Sequence, residues 1–458
     1  MEMKERMSKR LWLLAVGVLI SIGALVACGS KYNSSSNGLL LVGSQGSGLI
    51  ETFSFSLNNG HISAIDNPPA DTANKNCVLN GVPSSIVIER SGSYAFALIN
   101  ANPACSGSTT GIAAFKISSN GTTTQVGSLV TPKAGTITIS GQLPPNDTEE
   151  VAVVPSTLTV DAAGKFLFVA NRATADAASR FVPGSVSAFS IGSDGTLTEV
   201  AGSPFFTTSP VTTMPQQSVD IVAVAATPTV FPGIGVNGIQ NSVCSSGTNP
   251  PSTQYLYALD AVGNQVFEFQ VDTTSGALGS PTGLTAVPVF ATAATPAGVA
   301  VDPCDRFLYV SNGLPGPGNK VSGYLICSTV QNLCPNADGS LVVVSGSPFS
   351  LSGNASNPGP LAVDPYGNHL YVVGMDSNTV SGFTISATTG ALTAMSPAVV
   401  ATGIEPRSIA IRGDDNWMFV ANHGGATVSQ YSVVPASGAL TAEAPIQTDN
   451  YPWGVAVK

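Results

Sequence analysis

Residues 358–395 read PGPLAVDPYGNHLYVVGMDSNTVSGFTISATTGALTAM. Short apolar runs alternate here with Gly, Pro, Asp and Asn, the residues that turn geometry requires. Leu361 to Asp364 reads as a first strand, Asp364-Pro365-Tyr366-Gly367 as a turn, and His369 to Val373 as a second strand. Thr379 to Ile385 reads as a third strand, and Ala391 to Thr393 opens a fourth. The frame returns as PAGVAVDPCDRFLYVSN from Pro296, PRSIAIRGDDNWMFVANHGGATVSQYSV from Pro406, PSTLTVDAAGKFLFVAN from Pro155 and PSSIVIERSGSYAFALIN from Pro83. A sixth copy is interrupted: SVDIVAVA at 218–225, a long insertion, then YLYALDAVGNQVFEFQVDTTSGALG from Tyr255. Pro358, Pro406 and Pro452 lie 48 and 46 residues apart, the period of one propeller blade per unit.

The two ends of the chain complete this count. LLLVGS from Leu39 matches a second strand with no first strand before it, and LIETFSFSLNNGHI continues the unit. Pro452-Trp453-Gly454-Val455-Ala456-Val457 matches a first strand with no second strand after it. The fragments make one blade, and joining them removes the sheet edges that would invite aggregation. The expected fold class is therefore all-β, a seven-bladed propeller of four-stranded blades over residues 38–458, closed by the C-terminal strand.

Composition agrees. Of 458 residues only 44 are charged, against about a quarter in an ordinary domain, while 43% are hydrophobic, ample for a core. The 48 Gly and 32 Pro, with abundant Val, Thr and Ser, speak for strands and turns. The net charge of −10 excludes a basic nucleic-acid binder.

Lys4, Arg6, Lys9 and Arg10 precede an uncharged apolar run at 11–27, an export signal. Leu25-Val26-Ala27-Cys28 resembles the lipobox of bacterial lipoproteins, in which the Cys is acylated and becomes the new N-terminus. The other reading of the run, a plain transmembrane anchor, leaves the placing of Cys28 unexplained. The expectation is a signal peptide at 1–27, lipidated Cys28, and a tether to residue 37. Acyl chains at Cys28 make the membrane a partner. Gly29 follows, without the Asp that retains many lipoproteins at the inner membrane, so the expected location is the cell envelope, at the outer membrane or surface. Cleavage removes four basic and two acidic residues, moving the net charge from −10 to −12.

Six Cys remain, an even number in an exported chain. The blade map puts Cys327 and Cys334 in one hairpin, Cys77 and Cys105 on one face, and Cys244 and Cys304 on the other. The pairs 77–105, 244–304 and 327–334 follow. Metal ligation by cysteine is disfavoured, with no C-x-x-C and only three His in the chain.

The units, with their VDPxGxxLYV, NxVSxF and GAL segments, resemble the seven-bladed lactonase family related to bacterial 6-phosphogluconolactonase, over about 39–458. The resemblance implies a lactone hydrolase. 6-Phosphogluconolactone is a cytosolic metabolite that an exported protein would not meet, so another sugar-type or unrelated lactone is expected. The alternative is a non-catalytic propeller binding an envelope protein or glycan, since propellers of this build also serve as binding surfaces. A monomer is expected.

In propellers the blade connections and the second-to-third-strand loops share one face, where ligands bind. This rule selects Asn100, Asn171, Arg172, Asn312, Asp376, Asn422 and His423 at second-strand ends, and Arg407 and Trp453 at the entry to inner strands. Two Arg, a His, an Asp and several amides can grip a carboxylate, phosphate or lactone ring. An Asn ending a strand also often supports the following loop, the structural reading of Asn171, Asn312 and Asn422. Family relatives show Pro-Arg-His in the last full blade. Here Pro406 and Arg407 match and Ser408 replaces the His. His423 is the candidate general base on water, with Arg407 or Arg172 stabilising the oxyanion. His61 and His369 are given no role.

No nucleophile elbow, zinc helix, Walker loop or EF-hand loop occurs. Gly233 to Gly238 matches G-x-G-x-x-G only as chance allows at this glycine content, and opens no helix. No cofactor is expected. Some other propeller lactonases bind a divalent cation through Glu, Asp and Asn, but no residue set here specifies one. Asp414 and Asp415 read as solvated turn residues, and the Gly-Ser-Pro-Phe runs at 202–205 and 346–349 as exits from outer strands with Phe205 and Phe349 packing between blades.

Overall fold

The computed structural model describes residues 37–66, 79, 81–102, 107–139, 147–161, 163–175, 181–207, 220–227, 253–281, 286–313, 319–328, 333–334, 336–353 and 355–458. The leader, Cys28, Cys77, Cys105 and Cys244 lie outside the described residues. Seven antiparallel sheets, blades I to VII, stand in a ring. Blade VI shows the plan, with Pro358–Val363, His369–Gly374, Thr379–Ile385 and Leu392–Ala401 paired in that order. The inner strands of blades II to V and VII are Val82–Ile88, Val154–Val160, Ile221–Ala226, Pro296–Val301 and Pro406–Ile411. Blade I joins the chain ends. Its inner strand Pro452–Val457 runs antiparallel to Asn37–Ser44, with Leu40 opposite Val457, and Leu49–Ser56 and Ile62–Asp66 complete the sheet. Each inner strand lies against the next around a closed circle.

The core is divided as the ring is. Seven buried apolar clusters each bridge one pair of adjacent blades, so every blade is apolar on both faces. The repeat also carries a specific joint. The residue opening a second strand meets a positive-φ glycine in the hairpin between third and fourth strands of the next blade: Phe166 meets Gly276, Phe307 meets Gly390, His369 meets Gly438 and Trp417 meets Gly60. A Cβ on Gly390 would stand 2.5 Å from the Phe307 ring, so the close approach requires glycine.

The tyrosine two places on closes the joint. Tyr309 donates its hydroxyl to the Gly390 carbonyl and Tyr371 to that of Gly438, both at 2.8 Å, and Tyr257 bonds Gly339 likewise. Phe96, Phe168 and Phe419 fill the same place without a hydroxyl. Tyr309→Phe therefore keeps the ring packing and orphans a buried carbonyl, and should cost about 1 to 3 kcal/mol in denaturant unfolding. A loss under about 0.5 kcal/mol would mean the hydroxyl is dispensable.

Three features depart from the sequence expectations. Phe205–Phe206 and Phe349–Ser350 do not leave the sheet. They pair with the third strands of blades III and V after a break, so the fourth strand there is split in two. Two hairpins, Gly135–Ile139 with Asp147–Val151 and Thr174–Ala175 with Phe181–Val182, are added to the repeat. Asp415 is buried rather than solvated, and Asp414 is half-buried. Asp414 pairs with Arg412, and Asp415 is 0% exposed against the neighbouring blade. His369 is likewise buried, its Nδ1 at 2.7 Å from Asp364.

Cys327 and Cys334 form a disulfide with their Cα atoms 5.2 Å apart, stapling one hairpin. Cys304 is also disulfide-bonded.

Candidate functional site

Each inner strand slips register near its first residues, and a bulge re-aims the residue that drops out of pairing. Between the paired positions on either side of the slip lie Ser84, Ser156, Val222, Ala297, Gly359 with Pro360, Arg407 and Trp453. These are equivalent places around one mouth of the ring. Only blades VII and I put large side chains there, so the mouth is lopsided, and Arg407 and Trp453 come together: the guanidinium carbon lies 5.4 Å from the Trp453 ring centroid, a cation–π contact.

Two loops complete the cluster. A 3-10 turn at His423–Gly425 follows the second strand of blade VII, and the His423 N–H donates to the Glu405 carbonyl at 2.9 Å. This backbone bond brings the side chains into register. His423 Nδ1 lies 3.2 Å from a Glu405 carboxylate oxygen, and Arg407 reaches the same oxygen at 3.9 Å. The imidazole meets Trp453 edge-on at 4.9 Å between centroids and Tyr451 at 5.1 Å. Arg407 also approaches the Met375 sulfur at 3.6 Å, and its Nε is buried with no partner among the described residues. The site therefore holds an imidazole positioned by a carboxylate through one nitrogen, leaving the other for a proton, beside a guanidinium with donors to spare and two aromatic rings.

The other residues singled out in the sequence lie on the same face but do not join this cluster. Asn171, Asn312 and Asn422 are buried and committed. Asn171 donates to Ser185 and Ser187, Asn312 to Thr292 and the Ala293 carbonyl, and Asn422 to Thr427 and Ser429 while accepting the Gly403 N–H. They tie second strands to third strands and, in blades V and VII, to the incoming connection. Arg172 is held by both Nε and Nη2 on Asp220. Exposed Asp376 accepts from Asn357, and Asn100 sits opposite Val82 at the end of its strand.

Glu405, Tyr451 and Met375 were not among the sequence candidates. A signal was there for two of them. Thr295, Asn357, Glu405 and Tyr451 each precede the proline that opens an inner strand, and all four have φ between +49° and +62°. That left-handed step puts four equivalent side chains at the same mouth. Near it, blade I replaces the Asn-and-Ser pair with Ser44 and Glu51. Glu51 accepts the Ser44 hydroxyl and the Asp449 N–H, and burial pushes its carboxyl up to about 7.

The family model "Lactonase, 7-bladed beta-propeller" matches residues 248–403 and 343–453. No curated protein matches the sequence. The fold is similar to that of a candidate 6-phosphogluconolactonase of Bacteroides fragilis, at TM-score 0.61 and 19% identity, covering 94% of this chain and all of that one. It is also similar to the periplasmic gluconolactonase of Pseudomonas aeruginosa, at TM-score 0.60 and 18% identity, covering 92% and 99% of the two chains.

Proposed function

We propose that this chain, which carries the lactonase propeller family's signature over residues 248–453 on that family's fold, opens a lactone ring at the Glu405, His423, Arg407 and Trp453 cluster. The observation that carries the proposal is the His423–Glu405 contact beside the stacked Arg407 guanidinium. Water bonded to His423 Nε2 gives its proton to the imidazole and its oxygen to the lactone carbonyl carbon. The carbonyl oxygen takes up negative charge, which Arg407 donors stabilise. The intermediate then expels the ring oxygen, which receives the proton from the imidazolium, and the product is the hydroxy acid. Glu405 holds the Nδ1–H tautomer and stabilises the transient cation, and the aromatic rings of Trp453 and Tyr451 wall the site.

The substrate class we infer is a sugar-type lactone met outside the cytoplasm, the protein being lipid-anchored in the envelope through Cys28. The periplasmic gluconolactonase of P. aeruginosa supports this, as a propeller of similar fold named for such a substrate and compartment.

A second reading has its own observation. Val262, Ile404 and Tyr451 lie in blade connections or a second-to-third-strand loop and Val154 opens the inner strand of blade III, all more than 40% exposed and on the same face as the cluster. Such a surface suits a protein or glycan partner. Hydrolysis of gluconolactone, its 6-phosphate and homoserine lactones by the form starting at Gly29 separates the two. Turnover of a sugar lactone well above the spontaneous rate is expected. No turnover across the panel would abandon catalysis for the binding reading.

A further inference from the structure

The face opposite the candidate site carries a second constellation, found by comparing equivalent joints around the ring. The turn between first and second strands places a left-handed residue fourth from its start. It is Gly92, Gly164 and Gly367 in blades II, III and VI, but Asp305 in blade V and Asp415 in blade VII, with φ of +57° and +56°. Gly164, Gly367 and Asp415 each pack toward the acid that opens the turn of the preceding blade, Glu89, Asp302 and Asp364, whereas Gly92 meets Lys458 of blade I. A Cβ on Gly367, for example, would fall 2.1 Å from the Asp302 carboxylate.

At the joint of blades V and VI the charges balance. Buried Asp302 is bound by Nε and Nη2 of Arg306 at 2.8 and 2.9 Å, and Arg306 Nη2 also donates to the Gly367 carbonyl across the joint. At the joint of blades VI and VII three substitutions fall together. The place of Arg306 is taken by Asn368, that of Gly367 by Asp415, and that of the aromatic Phe307 by His369. One positive charge is gone and one negative charge has been added in the same buried place.

The resulting group is Asp364, His369 and Asp415, all buried, with ligand atoms within 4.8 Å of one another. Asp364 accepts the Asn368 N–H and contacts His369, but both Asp415 oxygens, on a residue 0% exposed, have no partner among the described residues. The neighbouring charges supply no counterion, because Arg412 is paired with Asp414 and also donates to the Lys458 carbonyl. A carboxyl in such a place is neutralised by a proton, as at Glu268, or by a cation, and here a second carboxylate and an imidazole stand within reach to share one.

We propose that Asp364, His369 and Asp415 bind one divalent transition-metal ion that staples blade VI to blade VII. Two positive charges restore the balance that Arg306 and Gly367 provide one joint earlier. One imidazole with two carboxylates suits Zn²⁺ or Mn²⁺ over Ca²⁺, which takes six to eight oxygen ligands. Ligand atoms around a tetrahedral ion with bonds near 2.0 Å stand about 3.3 Å apart, so side-chain shifts of roughly an ångström close the site. The site lies away from the His423 cluster and does not depend on the lactonase reading.

The test uses the full-length chain in detergent, stripped with chelator, then loaded separately with Zn²⁺, Mn²⁺ or Ca²⁺, passed through a desalting column and assayed for bound metal and melting temperature. One equivalent of Zn²⁺ or Mn²⁺ and a rise of a few degrees in Tm are expected, with no retention of Ca²⁺. Asp415→Gly installs the residue that three other blades hold, so the variant should fold. It should lose that equivalent and the metal-dependent rise, and His369→Phe, copying blade V, should do the same. A wild-type chain that retains neither Zn²⁺ nor Mn²⁺, or an Asp415→Gly variant that binds as well as wild type, overturns the proposal.

Discussion

Replacing His423 by Ala is expected to lower kcat for lactone opening about 10²- to 10⁴-fold, the usual contribution of a positioned general base. The side chain sits at the rim of the mouth, and the backbone N–H that ties its loop to Glu405 is untouched, so the fold should persist. Glu405→Gln should cause a smaller loss, because the amide can hold the ring through hydrogen bonding but cannot stabilise the imidazolium. Arg407→Lys should raise KM and lower kcat together. An ammonium keeps the charge but lacks the planar fork that stacks on Trp453. Asn171, Asn312 and Asn422 supply the contrast. Alanine there should lower stability and leave the rate per folded molecule within a few-fold. Steady-state kinetics with circular dichroism on the same samples distinguish the outcomes. If His423→Ala turned over lactone at the wild-type rate, its role as base would be lost even if the protein proved to be a lactonase.

Glu268→Gln should change how stability depends on pH. Glu268 lies in the third strand of blade IV opposite Tyr257, is 0% exposed, and both its carboxylate oxygens lack partners among the described residues. Burial, with a lesser contribution from the charge of Asp338, pushes its carboxyl from an ordinary 4.5 up to about 8. The folded protein therefore holds a proton at pH 7 that the unfolded chain has released. Its stabilising effect is complete below about pH 4.5, declines as pH rises, and is gone above about pH 8. The difference across that window is about 3 to 5 kcal/mol, at 1.36 kcal/mol for each unit of pKa. Glutamine, a neutral isostere, should remove this component. The variant should match wild type within about 1 kcal/mol at pH 5 and exceed it by several kcal/mol at pH 9 in urea unfolding. Parallel pH profiles for the two proteins would show that the carboxyl is paired or solvated in solution.

The repeat was legible because its signals are local. Alternation in LYV-type strands, turn residues at fixed offsets and a period near 48 are written within each unit, and the complementary ends at Leu39 and Pro452 closed the ring on paper. Arg407, His423 and Trp453 were legible for the same reason, since a blade map assigns each residue to a face. Glu405 and Tyr451 were not selected: the proline after each marks the position in the sequence, but the left-handed step that carries the side chain to the mouth shows only in the folded chain. For Arg172 the sequence offered a ligand role, and for the three Asn both a ligand role and a loop-supporting one. Only packed neighbours showed that Asp220 and third-strand hydroxyls occupy them.

Asp415 marks the boundary between the two kinds of information. In the sequence it is the second acid of a Gly-Asp-Asp turn, and such turns are solvated when they stand alone. Its burial comes from blade VI, more than forty residues earlier, whose Asp364 and His369 pack against it once the ring is assembled. By itself the sequence determined the blades, their number, their closure and the face each loop occupies, because these follow from short-range pattern and turn chemistry. The tertiary structure alone decided which charges are shared, orphaned or neutralised, because that depends on contacts between blades, and a repeat writes the same strand into every blade without stating what its neighbour will place against it.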